Sequence, residues 1–304
     1  MHWKTNTTLA MAMGSALLSV ACTPGQSRGH SDAAILRADV NAFRYDANYD
    51  APYNGMVDCA DGARWIYLVD SNNALLRFEP DAVRLTPIGT LRCSATATPF
   101  SMAVDRDATA YVLHSDHRIY QVSTTDAACS PTSFAPNQMG FELFGMGFVS
   151  NSAGSTDETL FIGGGPESGI GSGRSTLGSI GPGLSTVTRL GALQGSPELT
   201  GNGNAELWGF FPDSSPPSVR EINRANGATL RTYDASGIGA GRPTAWAFAY
   251  WGGRYYIFIQ TENDASTNIF RVTEGTGAFE PVRMNIGYRI VGAGVSTCAP
   301  TDII

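Results

Sequence analysis

The chain of 304 residues has little positive charge and almost no lysine, since Lys4 is the only one. Acidic residues number 27 against 20 lysines and arginines together, which gives a formal net charge of −7. Nucleic acids and anionic membrane surfaces are usually bound through a basic face, which such a composition does not supply. We therefore expect no nucleic-acid partner.

Histidine and cysteine are also scarce, with four and five residues, and no two cysteines form a CxxC pair. Zinc sites use closely spaced cysteine and histidine ligands, so the sequence argues against a zinc centre. Charged residues make up 15% of the chain and hydrophobic residues 42%, a balance typical of a folded domain. We expect no cofactor, with calcium as the alternative.

An apolar run lies near the amino terminus, from Leu9 to Ala21, and Lys4 precedes it. A basic start followed by a short apolar stretch is typical of a secretory signal and is too short for a lasting membrane span. The segment Leu18-Ser19-Val20-Ala21-Cys22 resembles the lipobox of bacterial lipoproteins. This resemblance implies cleavage before Cys22 and lipidation of that cysteine. Plain secretion after cleavage at an Ala-x-Ala-like site is the alternative.

Three segments follow from this interpretation. We predict a signal peptide over residues 1–21, a lipidated flexible tether over residues 22–37 and one folded domain over residues 38–304. The lipid would hold an exported protein on the outer membrane or cell surface, with a periplasmic face as the alternative.

The folded part repeats a unit of roughly 48 residues, within the range of propeller blades. Each unit begins with an apolar strand rich in small residues, which leads into a hairpin; an alternating third strand and a weaker fourth strand follow. The predicted inner strands are Gly55–Cys59, Phe100–Val104, Phe144–Val149, Pro197–Leu199 and Thr244–Tyr250. The second strands are Ala63–Asp70, Thr109–His114, Glu158–Gly163, Ala205–Phe211 and Arg254–Gln260.

This repetition predicts an all-β fold, a single β-propeller of five to six four-stranded blades with its two termini closing the ring. Small residues in the inner strands suit a crowded central axis. A β-sandwich or β-helix is the alternative, but no duplicated pattern of seven strands is visible. The terminal segment Tyr288–Ser296 resembles one more inner strand, which residues around Ala38–Tyr45 would join to complete the ring.

Four cysteines remain after Cys22, and an even number in an exported chain predicts two disulfides. The count alone leaves three pairings open. We favour Cys59 with Cys298, because closure of the ring brings the chain ends together. The other pair, Cys93 with Cys129, then brackets the second unit.

Two segments of the second unit, Asp105–Tyr111 and His117–Val122, resemble blades of the NHL and SMP-30/gluconolactonase-like propellers. The whole chain from Cys22 resembles propeller lipoproteins of Gram-negative bacteria. The lactonase branch implies a divalent ion held by a Glu, an Asn and an Asp on inner strands. The corresponding side chains here are Asp58, Asp105, Asn151 and Glu198, mostly at strand ends, and we interpret them as turn-forming residues.

Three further features are weaker candidates for a site. His114, Asp116 and His117 share one hairpin turn, which we interpret as a solvated turn. The glycine-rich segment Gly163–Ser175 lacks the Walker spacing and is interpreted as an insertion at a rim of the ring. Most aromatic residues fit core positions, whereas Trp251 lies in a turn and is expected to be exposed and available to a ligand.

The sequence thus favours a lipid-anchored binding or scaffold module of the cell envelope with a protein, peptide or glycan ligand. A metal-dependent lactonase-like hydrolase using axial carboxylates is one alternative, so enzymatic activity stays open. A purely structural envelope protein is the other.

Overall fold

The computed structural model describes residues 59–302, and all sheets in this part are antiparallel and four-stranded. Twenty strands form five sheets, which confirms the all-β propeller and sets the number of blades at five. The helical elements of this part are five short 3-10 segments: Asp61–Arg64, Gln138–Gly140, Glu167–Gly169, Pro182–Leu184 and Ser236–Ile238.

The blades follow one another along the chain. Blade 1 contains β1 (Ile66–Asp70), β2 (Ala74–Glu79) and β3 (Arg84–Thr90). Blade 2 contains β4 (Pro99–Val104), β5 (Thr109–His114), β6 (Ile119–Ser123) and β7 (Cys129–Pro131). Blade 3 contains β8 (Leu143–Ser150), β9 (Glu158–Gly165), β10 (Ser175–Ile180) and β11 (Val187–Leu193). Blade 4 contains β12 (Glu198–Gly201), β13 (Leu207–Phe211), β14 (Ser218–Ile222) and β15 (Thr229–Asp234). Blade 5 contains β16 (Pro243–Trp251), β17 (Arg254–Thr261), β18 (Asn268–Thr273) and β19 (Phe279–Arg283).

The last strand, β20 (Ile290–Val295), closes the ring. It pairs antiparallel with β1, so that Val295 lies opposite Ile66 and completes blade 1 in the order β20-β1-β2-β3. The prediction that Gly55–Cys59 is the inner strand of blade 1 is therefore wrong, because β20 occupies that position. Residues 55–58 and the predicted closing partner Ala38–Tyr45 lie outside the described residues.

Glycines allow the inner strands to approach one another closely at the axis. A Cβ atom at Gly145 would lie 2.3 Å from the carbonyl oxygen of Pro197, and one at Gly147 would lie 2.8 Å from the Cα of Thr200. On the other side of the ring, Gly292 is similarly confined by β4. Since only glycine fits such contacts, the prediction that small residues belong at the axis is confirmed.

Large side chains fill the spaces between blades. Trp208, Phe248 and Tyr255 are buried in a cluster between blades 4 and 5. The expectation that Trp251 is exposed is wrong, because only 6% of this residue is accessible. Gly252 and Gly253 make the turn with positive φ, and the indole packs into the seam with blade 1. Its Nε1–H donates to the carbonyl oxygen of Arg64 at 2.7 Å.

Two disulfides link the described residues. Cys59 is bonded to Cys298, just past β20, and Cys93 to Cys129, at the start of β7. These are the pairs that the sequence favours, although Cys59 precedes β1 instead of ending an inner strand. The first bond joins residues 239 positions apart and thereby fastens the seam of the ring.

The predicted signal peptide, the tether and Cys22 lie outside the described residues. Within residues 59–302, no helix is long and apolar enough to cross a membrane.

Candidate functional site

A cavity of about 780 Å³ opens at the end of the ring where the inner strands begin. Residues at or near the starts of β4, β12, β16 and β20 line it, and a smaller adjoining cavity reaches the start of β8. The inner strands run parallel, since Gly145 and Gly147 lie against Glu198 and Thr200 respectively. We call this opening the axial mouth; it is lined by Phe100, Glu198, Thr244, Trp246 and Arg289 among others.

Proline marks the first residue of β4 and β16 and immediately precedes β12. Proline is tolerated at the first position of a strand, where its missing N–H leaves no gap in the ladder. The residues after these prolines, Phe100, Glu198 and Thr244, all line the axial mouth. This recurrence is the sequence signal that could have located the site.

The wall of the axial mouth is largely apolar. Phe100 and Trp246 are both partly buried, and Ile170 projects from the segment Gly163–Ser175 with 37% of its surface exposed. That segment connects β9 to β10, so its predicted place at a rim is confirmed. Aromatic walls of this kind contribute most of the contact area in ligand pockets.

Glu198 lies in the axial mouth and is only 3% exposed. Its Oε2 accepts a hydrogen bond from the hydroxyl of Ser101 at 2.8 Å, which joins blade 4 to blade 2 across the axis. Burial raises the pKa of the Glu198 carboxyl well above its ordinary value. Removing a carboxylate from water without a cationic partner favours the neutral acid, so this residue serves as a hydrogen-bond donor or acceptor.

Arg289 lies just before β20 and is held by blade 5. Its Nη1 donates to Oγ1 of Thr244 at 3.1 Å and to Oε1 of Gln260 at 3.3 Å, and its Nη2 donates to the carbonyl oxygen of Thr244. The guanidinium has no carboxylate partner within residues 59–302. A cation is thus fixed in position beside the aromatic wall.

The other charges around the axial mouth are on its rim. Arg242 is exposed and lies 3.6 Å from Glu262. Asp213 is also exposed, and its carboxylate accepts the backbone N–H of Ser196 at 3.0 and 3.1 Å. Arg174 is an exposed residue of the rim segment. Three arginines, Arg174, Arg242 and Arg289, lie against two carboxyl groups, Asp213 and Glu198, so the lining of the two cavities carries more positive than negative charge.

A second polar cluster lies at the opposite end of the axis. Glu158 accepts the backbone N–H of Arg106 at 3.1 Å and the hydroxyl of Thr297 at 2.8 Å. The Arg106 guanidinium donates to the same hydroxyl and to Sγ of Cys59, both at 3.2 Å. Burial, assisted by the charge of Asp105, raises the pKa of Glu158 to about 7. These residues fasten the seam next to the first disulfide.

Three of the four sequence candidates for a metal site lie among the described residues, and these three do not come together. Asp105 accepts the backbone N–H groups of Asp107 and Thr109, which is the turn-forming role predicted for it. The side-chain oxygen of Asn151 is an acceptor for Thr159, and Glu198 lies in the axial mouth. Asp58 lies outside the described residues. Among residues 59–302, no group of three or more His, Cys, Asp or Glu side chains is placed to hold a metal ion.

The turn containing His114, Asp116 and His117 is only partly solvated. His114 is fully buried, with its ring edge-on to Tyr120 at 4.8 Å, so the expectation of a solvated side chain is wrong there. Burial lowers the pKa of His114. Asp116 accepts the hydroxyl of the same Tyr120, whereas His117 contacts Asn137, so the three side chains do not converge on one point.

No protein-family model and no curated protein matches this chain. TolB from Acinetobacter baumannii is similar in structure, with a TM-score of 0.46 and 12% identity over 74% of this chain and 54% of that chain. A protein of unknown function from Bacteroides caccae has a TM-score of 0.38 and 14% identity over 73% of each chain. This chain therefore spans about half of the TolB chain, and neither likeness carries an argument about function.

Proposed function

We propose that this chain is an exported binding module of the cell envelope, held by a lipid on Cys22, with its ligand in the axial mouth. The observation that carries the proposal is the mouth itself. It combines an apolar wall with a few fixed polar groups, and its volume of about 780 Å³ lies in the usual range for small-molecule sites. The resemblance to propeller lipoproteins supports the same assignment and stays a prediction.

The lipobox and the two disulfides support export and anchoring. Structural disulfides persist in oxidising compartments, which include the bacterial periplasm and cell surface. We expect Cys22→Ala to move the protein from the membrane fraction to the soluble fraction, whereas Ser19→Ala leaves it with the membrane. Unchanged partitioning of Cys22→Ala would refute the lipid anchor without affecting the proposed binding site.

The binding site is tested by a thermal-shift screen of the purified full-length protein against small organic molecules. Compounds that bind the native state raise its melting temperature by mass action. We expect Trp246→Ala to abolish this rise, because it removes the largest aromatic surface of the mouth. Leu230→Ala, at an exposed position on the outer strand β15, is the matched control and should keep it. If every stabilising compound acts equally on Trp246→Ala, the ligand site lies elsewhere.

A further inference from the structure

We propose that the ligand of the axial mouth is an organic carboxylate of small-molecule size with an apolar body, and that Arg289 binds its carboxylate group. This inference rests on the proposed function and names the chemical class that the site would accept. It follows from three observations: the unused donors of Arg289, the charge balance of the lining and the aromatic wall.

Arg289 still has donors to offer. The guanidinium carries five N–H groups in a planar fork. Nη1 donates to Thr244 and Gln260, and Nη2 makes one hydrogen bond, to the carbonyl oxygen of Thr244. The Nε–H and the remaining N–H of Nη2 have no partner within residues 59–302. These two groups lie side by side on one edge of the guanidinium, in the arrangement that binds the two oxygens of a carboxylate.

The neighbouring charges leave this cation available. Arg242 already lies beside Glu262, and Asp213 is occupied by a backbone N–H. Glu198 faces the same cavity but is buried with Ser101 as its hydrogen-bond partner, so it favours the neutral form. A neutral carboxyl does not compete for Arg289 and can donate its own proton to an oxygen of a bound carboxylate. The polar part of the lining is therefore complementary to a single negative charge.

The remaining wall selects the rest of the ligand. Phe100, Trp246, Ile170 and Val291 contribute apolar surface around the cavity. Contact with such surface favours an aromatic or aliphatic body over a hydroxylated one, since sugar hydroxyls would lose water without gaining partners. The apolar end of a peptide with a free carboxyl terminus shares this chemistry. We propose the small molecule as the ligand, and the experiment includes such a peptide for comparison.

The experiment compares matched probes on the purified full-length protein by calorimetry. We expect 4-phenylbutyrate to bind at least about tenfold more tightly than 4-phenylbutyramide, because the amide is uncharged and offers one acceptor oxygen, not two, to the fork. Galacturonate, a carboxylate with a polar body, should bind about tenfold more weakly as well. An N-acetylated peptide ending in Ala-Ala-Phe with a free carboxyl terminus is compared with its carboxyl-terminal amide. If that peptide binds more tightly than 4-phenylbutyrate, the choice of a small molecule is wrong.

Two variants locate the interaction. Arg289→Lys keeps the positive charge and removes the planar fork, and we expect it to weaken phenylbutyrate binding about tenfold with little effect on the amide. Arg242→Gln removes a cation from the rim of the axial mouth and should change binding less than about threefold. A melting temperature close to that of the unaltered protein checks that each variant is folded. The comparison of acid and amide uses the unaltered protein and requires no variant.

The outcomes separate this inference from the proposed function. Equal binding of acid and amide that is lost in Trp246→Ala would overturn the carboxylate assignment and leave the mouth as a binding site. Failure of both probes to bind would also overturn it, while the screen described above would still decide whether the mouth binds other compounds. A larger effect of Arg242→Gln than of Arg289→Lys would assign the carboxylate to the rim and refute the role of the fork.

Discussion

Replacing Glu158 with glutamine is expected to remove a pH dependence that this carboxyl gives to folding stability. In the folded protein, burial raises its pKa to about 7 from an ordinary value of 4.5. The folded state therefore binds a proton more tightly than the unfolded state does. The resulting stabilisation is complete below the unfolded pKa and is lost as the pH rises through the folded pKa. Linkage gives a loss of about 2.5 kcal/mol between about pH 5 and pH 8.

The assay is guanidinium unfolding followed by tryptophan fluorescence at both pH values, with the disulfides intact. Other buried carboxyls, such as Glu198, also contribute to the total pH dependence, so the informative quantity is the difference between the parent protein and Glu158→Gln. We expect this difference to change by about 2.5 kcal/mol across the interval. Glu262→Gln, at an exposed position, should follow the parent. A difference for Glu158→Gln that does not vary with pH would refute the reasoning.

Three further predictions concern the packing of the ring. Gly145→Ala should lower the free energy of unfolding, measured by chemical denaturation, by at least about 1–3 kcal/mol, because the new methyl group meets a backbone carbonyl oxygen. Gly165→Ala is the control, since open space surrounds that position, and it should lower the free energy of unfolding less. The double variant Cys59→Ser with Cys298→Ser should lose about 2–5 kcal/mol in the same assay, and an unchanged midpoint would contradict a closing role for the bond. Trp251→Phe should lose about 1–3 kcal/mol by leaving a buried carbonyl without its indole donor, whereas an exposed residue would show almost no change.

Much of the fold could be predicted because its second strands are short apolar runs rich in aromatic and β-branched residues, bounded by turns. Thr109–His114 and Arg254–Gln260 were recognisable as strands from their own residues, and β5 and β17 follow them closely. The closing strand was also recognisable, since β20 repeats the small-residue pattern of the other inner strands. Its pairing with β1 could not be predicted, because pairing between residues more than 200 positions apart leaves no local pattern in the sequence.

The candidate site was harder to predict, because its residues meet only in the folded ring. The local sequence around Glu198 is typical of a turn. Its burial in the folded ring depends instead on contact with Ser101 of a different blade. Arg289 precedes β20 and has no motif around it; its orientation depends on Thr244 and Gln260 of blade 5. Trp251 shows the opposite case, in which a local turn suggests exposure and the adjacent blade covers the side chain.

The central claim is that the axial mouth is the ligand site, and amide hydrogen exchange with and without saturating 4-phenylbutyrate tests it most directly. We predict slower exchange at the starts of β4, β12, β16 and β20 and in the rim segment between β9 and β10, with no change around Glu158 at the opposite end. Protection confined to that opposite end or to the outer strands would contradict the claim.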